Sequence, residues 1–99
     1  MTDEIKLTEQ TGRAARAQRL LSDDLLLEAF DTLDRDYLKA WRESQARDTD
    51  ARERLWQAVQ IVAKVRSHLS TIVANGNVAQ KDLDDIARLG ERRKLFGVV

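Results

Sequence analysis

The sequence predicts an all-α fold: an antiparallel hairpin of two long helices, flanked by short N- and C-terminal helices in a bundle-like, oligomeric arrangement. The 99 residues include no proline, the residue that most strongly interrupts helices. Aromatic residues make up 5% of the chain, which is too few for a protein built from β-sheets. Apolar residues recur at steps of three and four over two long stretches, as on one face of an amphipathic helix. The length favours a single helical domain over residues 1–99.

The N-terminal part predicts a short helix from about Thr11, or from as early as Thr8, to Leu21. This stretch is rich in alanine, the strongest helix former. Residues 1–10 and 91–99 are expected to be flexible ends.

The first long helix is predicted from Ser22 to about Ala46. Ser22 can cap the free N–H groups at the helix start, and the two aspartates that follow it favour the positive end of the helix dipole. Its apolar face follows steps of four, three, four and four: Leu26, Phe30, Leu33, Tyr37 and Trp41.

The second long helix is predicted from Asp50 to about Ala74. Asp50 and Glu53 form a start that resembles a capping box, and Asp48 is an alternative cap. The main apolar line of this helix consists of Leu55, Val59, Val62, Leu69 and Val73.

Asn75 and Gly76 are predicted to end that helix, because both residues tolerate the left-handed conformation of a helix C-cap. A short last helix would then run from Asn77 to the residue before Gly90. The core hairpin accordingly covers residues 22–74.

The length of the hairpin predicts self-association. A helix of about 24 residues is about 36 Å long, whereas a compact protein of this size has a radius of gyration of about 13 Å. The short flanking helices cannot cover such a hairpin from end to end, so apolar surface would stay exposed unless copies associate.

The two long helices carry opposite charge although the whole chain is neutral. Residues 22–50 include four basic and nine acidic residues, and residues 51–74 include four basic residues and one acidic residue. This complementarity favours pairing of the two helices, within one chain or between chains.

Composition and the absence of motifs exclude several classes of protein. There is no cysteine, no apolar leader in the acidic N-terminal residues 1–4, and no apolar run of about 20 residues. We therefore expect a soluble, cytoplasmic protein without disulfides or a membrane partner. His68 is the single histidine, and no constellation of catalytic or metal-binding residues surrounds it in sequence. The sequence predicts no enzyme activity, no cofactor, no metal and no small-molecule substrate.

Arg66 interrupts the apolar line of the second long helix. In one interpretation its aliphatic stem packs while its charged end extends outward. In the other it forms a buried or interfacial ion pair with a carboxylate of the preceding helix, such as Asp34 or Asp36, and fixes the helix register. The sequence favours neither interpretation over the other.

Apolar residues outside the main core faces predict a protein–protein interface. The candidate anchors, together with Arg66, are Leu27, Leu38, Trp56, Leu95 and Phe96. They indicate a non-enzymatic interaction or assembly protein that forms homo-oligomers or binds another protein through its helix faces.

Clusters of basic residues support an alternative function as a small DNA-binding or packaging accessory factor. These residues are Arg13, Arg16 and Arg19 in the N-terminal helix, and Arg92, Arg93 and Lys94 near the C-terminus. Nucleic acid is the less favoured partner, because the chain is neutral overall and its aromatic residues lie at predicted core positions.

Residues 20–83 resemble small helical proteins that tailed bacteriophages and prophages encode near their head and packaging genes. The resemblance rests on Leu20-Leu21, Glu28-Ala29-Phe30, Tyr37, Trp41, the stretch 48–56, His68-Leu69 and Asn75-Gly76. It implies a role in a phage particle or its assembly, located in the host cytoplasm or the virion, and no enzyme activity.

Overall fold

Three α-helices make up nearly all of the part of the chain that the structure describes. This structure is a computed structural model, and it describes residues 2–95, with side chains from residue 3 to residue 93. The helices are α1 (Thr2–Leu21), α2 (Asp24–Glu43) and α3 (Thr49–Leu95), and residues 2–95 include no strand. The predicted all-α class is confirmed.

The start of α2 is fixed by Asp23, one residue after the predicted cap. Asp23 has an extended backbone, and its carboxylate accepts a 3.0 Å hydrogen bond from the N–H of Leu26. This bond satisfies one of the N–H groups that a helix start leaves without an intrahelical partner. At the other end, Ser44 is the C-cap, so α2 is shorter than predicted at both ends.

At the start of α3 the capping residue is Asp48, the alternative cap predicted from the sequence. The Asp48 carboxylate accepts a 3.3 Å hydrogen bond from the N–H of Ala51. The backbone carbonyl of Asp48 accepts a 3.1 Å hydrogen bond from the N–H of Arg52. Asp50 lies in the first turn of the helix instead of capping it. There its charge still favours the positive end of the helix dipole.

The prediction that Asn75 and Gly76 end a helix is wrong, because α3 continues without interruption to Leu95. The predicted separate helix from Asn77 is therefore the second half of α3. Gly76 is buried against α1, where a small residue permits close approach of the two helices. Gly90 also lies inside α3 instead of ending a helix.

The helix α1 begins at Thr2, well before the predicted start. Two carboxylates in its first turn, Asp3 and Glu4, favour the positive end of the helix dipole and support this early start. The flexibility of the chain ends stays a prediction, although residues 2–10 and 91–95 are helical. Residues 96–99 lie outside the described residues.

The described residues divide into two compact units, one formed by residues 2–18 and 70–95 and the other by residues 19–69. We call them unit 1 and unit 2. In unit 1, α1 packs on the second half of α3 through small residues that are buried at the contact. These are Ala14 and Ala17 of α1, and Gly76 and Ala79 of α3.

Unit 2 holds α2 and the first part of α3. Phe30 of α2 and Val62 of α3 are its buried apolar residues among the described side chains. Asp31, early in α2, contacts Arg66, whereas the later Trp41 contacts the earlier Arg52. In unit 2 the two segments therefore contact each other in antiparallel order.

Candidate protein-interaction groove

An open apolar groove of about 490 Å³ lies between α2 and α3 in unit 2. We call it the tryptophan groove, because both tryptophans of the chain line it. The lining residues are Asp34, Tyr37, Leu38, Trp41, Leu55, Trp56, Val59 and Ala63.

Helical spacing explains why these side chains meet. On α2, Tyr37 and Trp41 are four residues apart, and on α3 the steps from Leu55 to Val59 and from Val59 to Ala63 are also four. Residues at this spacing are neighbours on one face of a helix. Antiparallel contact between the two segments brings their faces together as the two walls of the groove.

The groove exposes large apolar side chains to solvent. Trp56 is 62% exposed, Leu38 47% and Trp41 44%. Single exposed apolar residues are ordinary, whereas a cluster of this kind around a concave surface is typical of an interaction site.

Two of the predicted anchors, Leu38 and Trp56, are thus brought together in the tryptophan groove. Leu27 is also exposed but does not line it. The side chain of Leu95 and the whole of Phe96 lie outside the described residues. The sequence places Ala63 on the same side of its helix as Trp56, because the two residues are seven positions, about two helical turns, apart. It did not indicate that Asp34 of α2 lines the same groove.

Trp41, which the periodicity assigned to the core face, is part of the groove wall instead. The guanidinium of Arg52 lies over its ring, 4.5 Å from the centroid, and donates a 3.1 Å hydrogen bond to the Ser44 hydroxyl. Such a cation–π contact is worth about 0.5–1 kcal/mol at an exposed site. Trp41 keeps 44% of its surface exposed beside this contact.

Arg66 forms an ion pair with a carboxylate of the preceding helix, but the partner differs from those named and the pair is not buried. Its guanidinium lies 3.0 Å from the Asp31 carboxylate and 4.8 Å from the centroid of the Phe30 ring. The predicted partners Asp34 and Asp36 are wrong, because the register of the contact places the residue after Phe30 beside Arg66. Asp31 is largely exposed, so the pair resembles a surface salt bridge, which is worth about 0–1 kcal/mol. A role in fixing register stays a prediction.

The predicted basic clusters are exposed where the structure describes them. Arg13, Arg16 and Arg19 lie on α1, and Arg92 and Arg93 lie near the end of α3. The side chain of Lys94 lies outside the described residues.

His68 and the acidic side chains were the other candidates for a site. His68 is exposed, and residues 3–93 contain no group of three or more metal-binding side chains placed to hold an ion. Among the helices that the structure describes, none is long and apolar enough to span a bilayer.

The sequence matches no protein-family model, and no curated protein or solved structure shows significant similarity to it. The residues of the tryptophan groove are therefore the basis for an inference about function.

Proposed function

We propose that this protein is a non-enzymatic helical interaction protein that associates with further copies of itself through the tryptophan groove. In this proposal α2 and the first part of α3 form a helical hairpin, and hairpins from two or more copies assemble into a bundle. The observation that carries the proposal is the pair of exposed tryptophans in one apolar groove. The resemblance to small phage proteins supports a role in particle assembly, in the host cytoplasm or in the virion.

Covering the groove supplies part of the free energy that favours association. A tryptophan buries about 150–250 Å², so covering the exposed part of Trp56 removes roughly 100–150 Å² from water. At about 25 cal/mol per Å² this stabilises a complex by about 2–4 kcal/mol, before the costs of association are subtracted. Leu38 and Trp41 add further apolar area in the same groove.

Light scattering of the purified protein at several concentrations tests the proposal. We expect the average mass to rise with concentration, and we expect Trp56→Ala to weaken association by at least about tenfold, equivalent to 1.4 kcal/mol. Ile61→Ala is the matched control, because Ile61 is also 62% exposed on α3 but does not line the groove. A wild-type protein that stays monomeric up to millimolar concentration would contradict the proposal.

Exposed arginines support DNA binding as a second candidate function. Arg13 and Arg16 lie one turn apart on α1, so their charges share one face of the helix. Neither belongs to the ion pairs Arg66–Asp31 and Arg88–Asp85. A gel shift with duplex DNA at several salt concentrations tests this candidate, with the double variant Arg13→Glu/Arg16→Glu as comparison. Binding weaker than about 1 mM at low salt would exclude it, since non-specific DNA binders reach about 10⁻⁴–10⁻⁶ M at physiological salt.

A further inference from the structure

We infer that the occupant of the tryptophan groove is the same face of a second copy, in a two-fold dimer whose α3 helices cross antiparallel near Val59 and Gln60. The inference rests on the self-association proposed above, and it adds the contact surface and its orientation. It depends on the shape, the hydrogen-bonding capacity and the charge of unit 2.

The surface around the groove supplies both a projecting side chain and a recess that can receive the same side chain from a second copy. Trp56 projects from α3 with 62% of its surface exposed, whereas Ala63 contributes only a methyl group to the groove lining. The two residues are seven positions apart, about two helical turns, so they lie on one face of α3. In an antiparallel two-fold contact, Trp56 of each copy would enter the groove of the other at Ala63. A two-fold interface requires one patch to supply both the projection and the recess.

The groove also offers a hydrogen-bond acceptor for the entering side chain. Asp34 is half-buried and lines the same groove as Ala63. A tryptophan that becomes buried needs an acceptor for its indole N–H, and a carboxylate oxygen provides one. Trp56 of a second copy would therefore bury its ring while its N–H group donates to Asp34.

Charged residues beside this face are complementary under the same two-fold axis. Glu53 and Lys64 are exposed on α3 and belong to neither the Arg66–Asp31 nor the Arg88–Asp85 ion pair. The position midway between Glu53 and Lys64 along α3 lies only one residue, about 1.5 Å, from the position midway between Trp56 and Ala63. Both pairs are therefore centred on nearly the same two-fold axis. An antiparallel dimer therefore brings Glu53 of each copy close to Lys64 of the other.

A salt bridge between Glu53 and Lys64 can form only between two copies. The residues are 11 positions apart in one helix, about 16 Å along its axis, which is too far for a direct ion pair within the chain. Any energetic coupling between these two positions thus reports a contact between copies. This property makes the pair a specific test of orientation.

The first experiment is a charge exchange followed by sedimentation velocity at low salt. Glu53→Lys and Lys64→Glu each place like charges across the two-fold axis, so each is expected to weaken the dimer roughly 2- to 30-fold, since the contact occurs twice. The double variant restores opposite charges and is expected to recover most of the affinity. Arg54→Glu is the matched control for Lys64→Glu, because it changes the net charge equally but lies about 200° around α3 from Trp56.

The second experiment uses the absence of cysteine from the chain. Gln60 lies between Trp56 and Ala63 on the surface of α3, so the two copies of position 60 would lie next to each other at the two-fold axis. The variant Gln60→Cys should therefore form a disulfide-linked dimer on mild oxidation. Gln57→Cys is the control. The two copies of position 57 would be about 7.5 Å apart along the helix axes and are expected not to cross-link.

The outcomes separate the orientation from self-association itself. A wild-type dimer with charge-exchange rescue and selective cross-linking through position 60 supports the inference. A wild-type dimer in which Glu53 and Lys64 show no coupling and Gln60→Cys does not cross-link overturns the orientation but leaves the proposed function intact. A strictly monomeric wild-type protein overturns both.

Discussion

The close contact between α1 and α3 at Gly76 predicts that replacing this glycine is less favourable than replacing a glycine with open space around it. A Cβ at position 76 would lie 3.1 Å from the carbonyl oxygen of Gln10 and 3.4 Å from the Cα of Ala14, and far inside contact distance of the Ala14 Cβ. These are backbone atoms and a methyl group that has no alternative rotamer. To accept the substitution, α1 itself must move.

The expected effect of Gly76→Ala is a balance of two terms. Overpacking in a close contact costs about 1–3 kcal/mol. Alanine in a helix interior recovers about 1 kcal/mol relative to glycine. The net result is a loss of about 0–2 kcal/mol in the free energy of unfolding. Gly90→Ala is the matched control in the same helix, because a Cβ there meets nothing within 4 Å, and it should stabilise by about 0.5–1 kcal/mol.

Thermal and urea unfolding followed by circular dichroism at 222 nm would measure the difference between the two variants. A difference of 1 kcal/mol corresponds to about 4–8 °C in Tm for a domain of this size. The double variant Ala14→Gly/Gly76→Ala removes the blocking methyl group, so its loss should be smaller than the sum of the two single losses. Equal stabilisation by Gly76→Ala and Gly90→Ala would refute the reasoning, since it would mean that α1 does not contact α3 at this position.

Further substitutions test the remaining contacts of unit 2. Asp48→Ala removes the cap of α3 and should lower the free energy of unfolding in urea by about 0.5–2 kcal/mol. Asp50→Ala should lower it by no more than about 1 kcal/mol. A larger loss for Asp50→Ala than for Asp48→Ala would contradict the observed cap. Arg52→Ala should destabilise by about 0.5–1 kcal/mol through the lost aromatic contact, and an equal loss in Arg54→Ala would show that this contact contributes nothing. Arg66→Leu should change stability by less than about 1 kcal/mol, and an unchanged mass distribution in light scattering would reject a role for this arginine in register.

The presence of helices and their apolar faces could be predicted from the sequence. The packing of α1 at Gly76, where α3 continues as a helix, could not. Asn75-Gly76 is an ordinary helix end in isolation, because both residues tolerate the left-handed conformation. A glycine also permits close approach of a neighbouring helix, and that use depends on a partner distant in sequence. One available signal was overlooked: Ala14 and Ala17 share their three-residue spacing with Gly76 and Ala79.

The residues of the candidate groove were only partly predictable, because the exposure of a helix face also depends on the helix that packs beside it. Trp56 lies off the main apolar line of its helix, and its exposure follows from that position. Trp41 fits the apolar line of α2, but periodicity identifies a face without showing how far the neighbouring helix covers it. The pairing of Arg66 with Asp31 depends on the register between two helices, which neither helix encodes in its own pattern.

The placement of Trp41 and Trp56 has a spectroscopic consequence. They are the two tryptophans of the chain, and both belong to unit 2. Indole emission therefore reports the unfolding of unit 2 and carries no direct signal from unit 1, whereas backbone ellipticity reports both units. Denaturation curves from the two signals can show whether α3, which contributes residues to both units, melts in one step or in two.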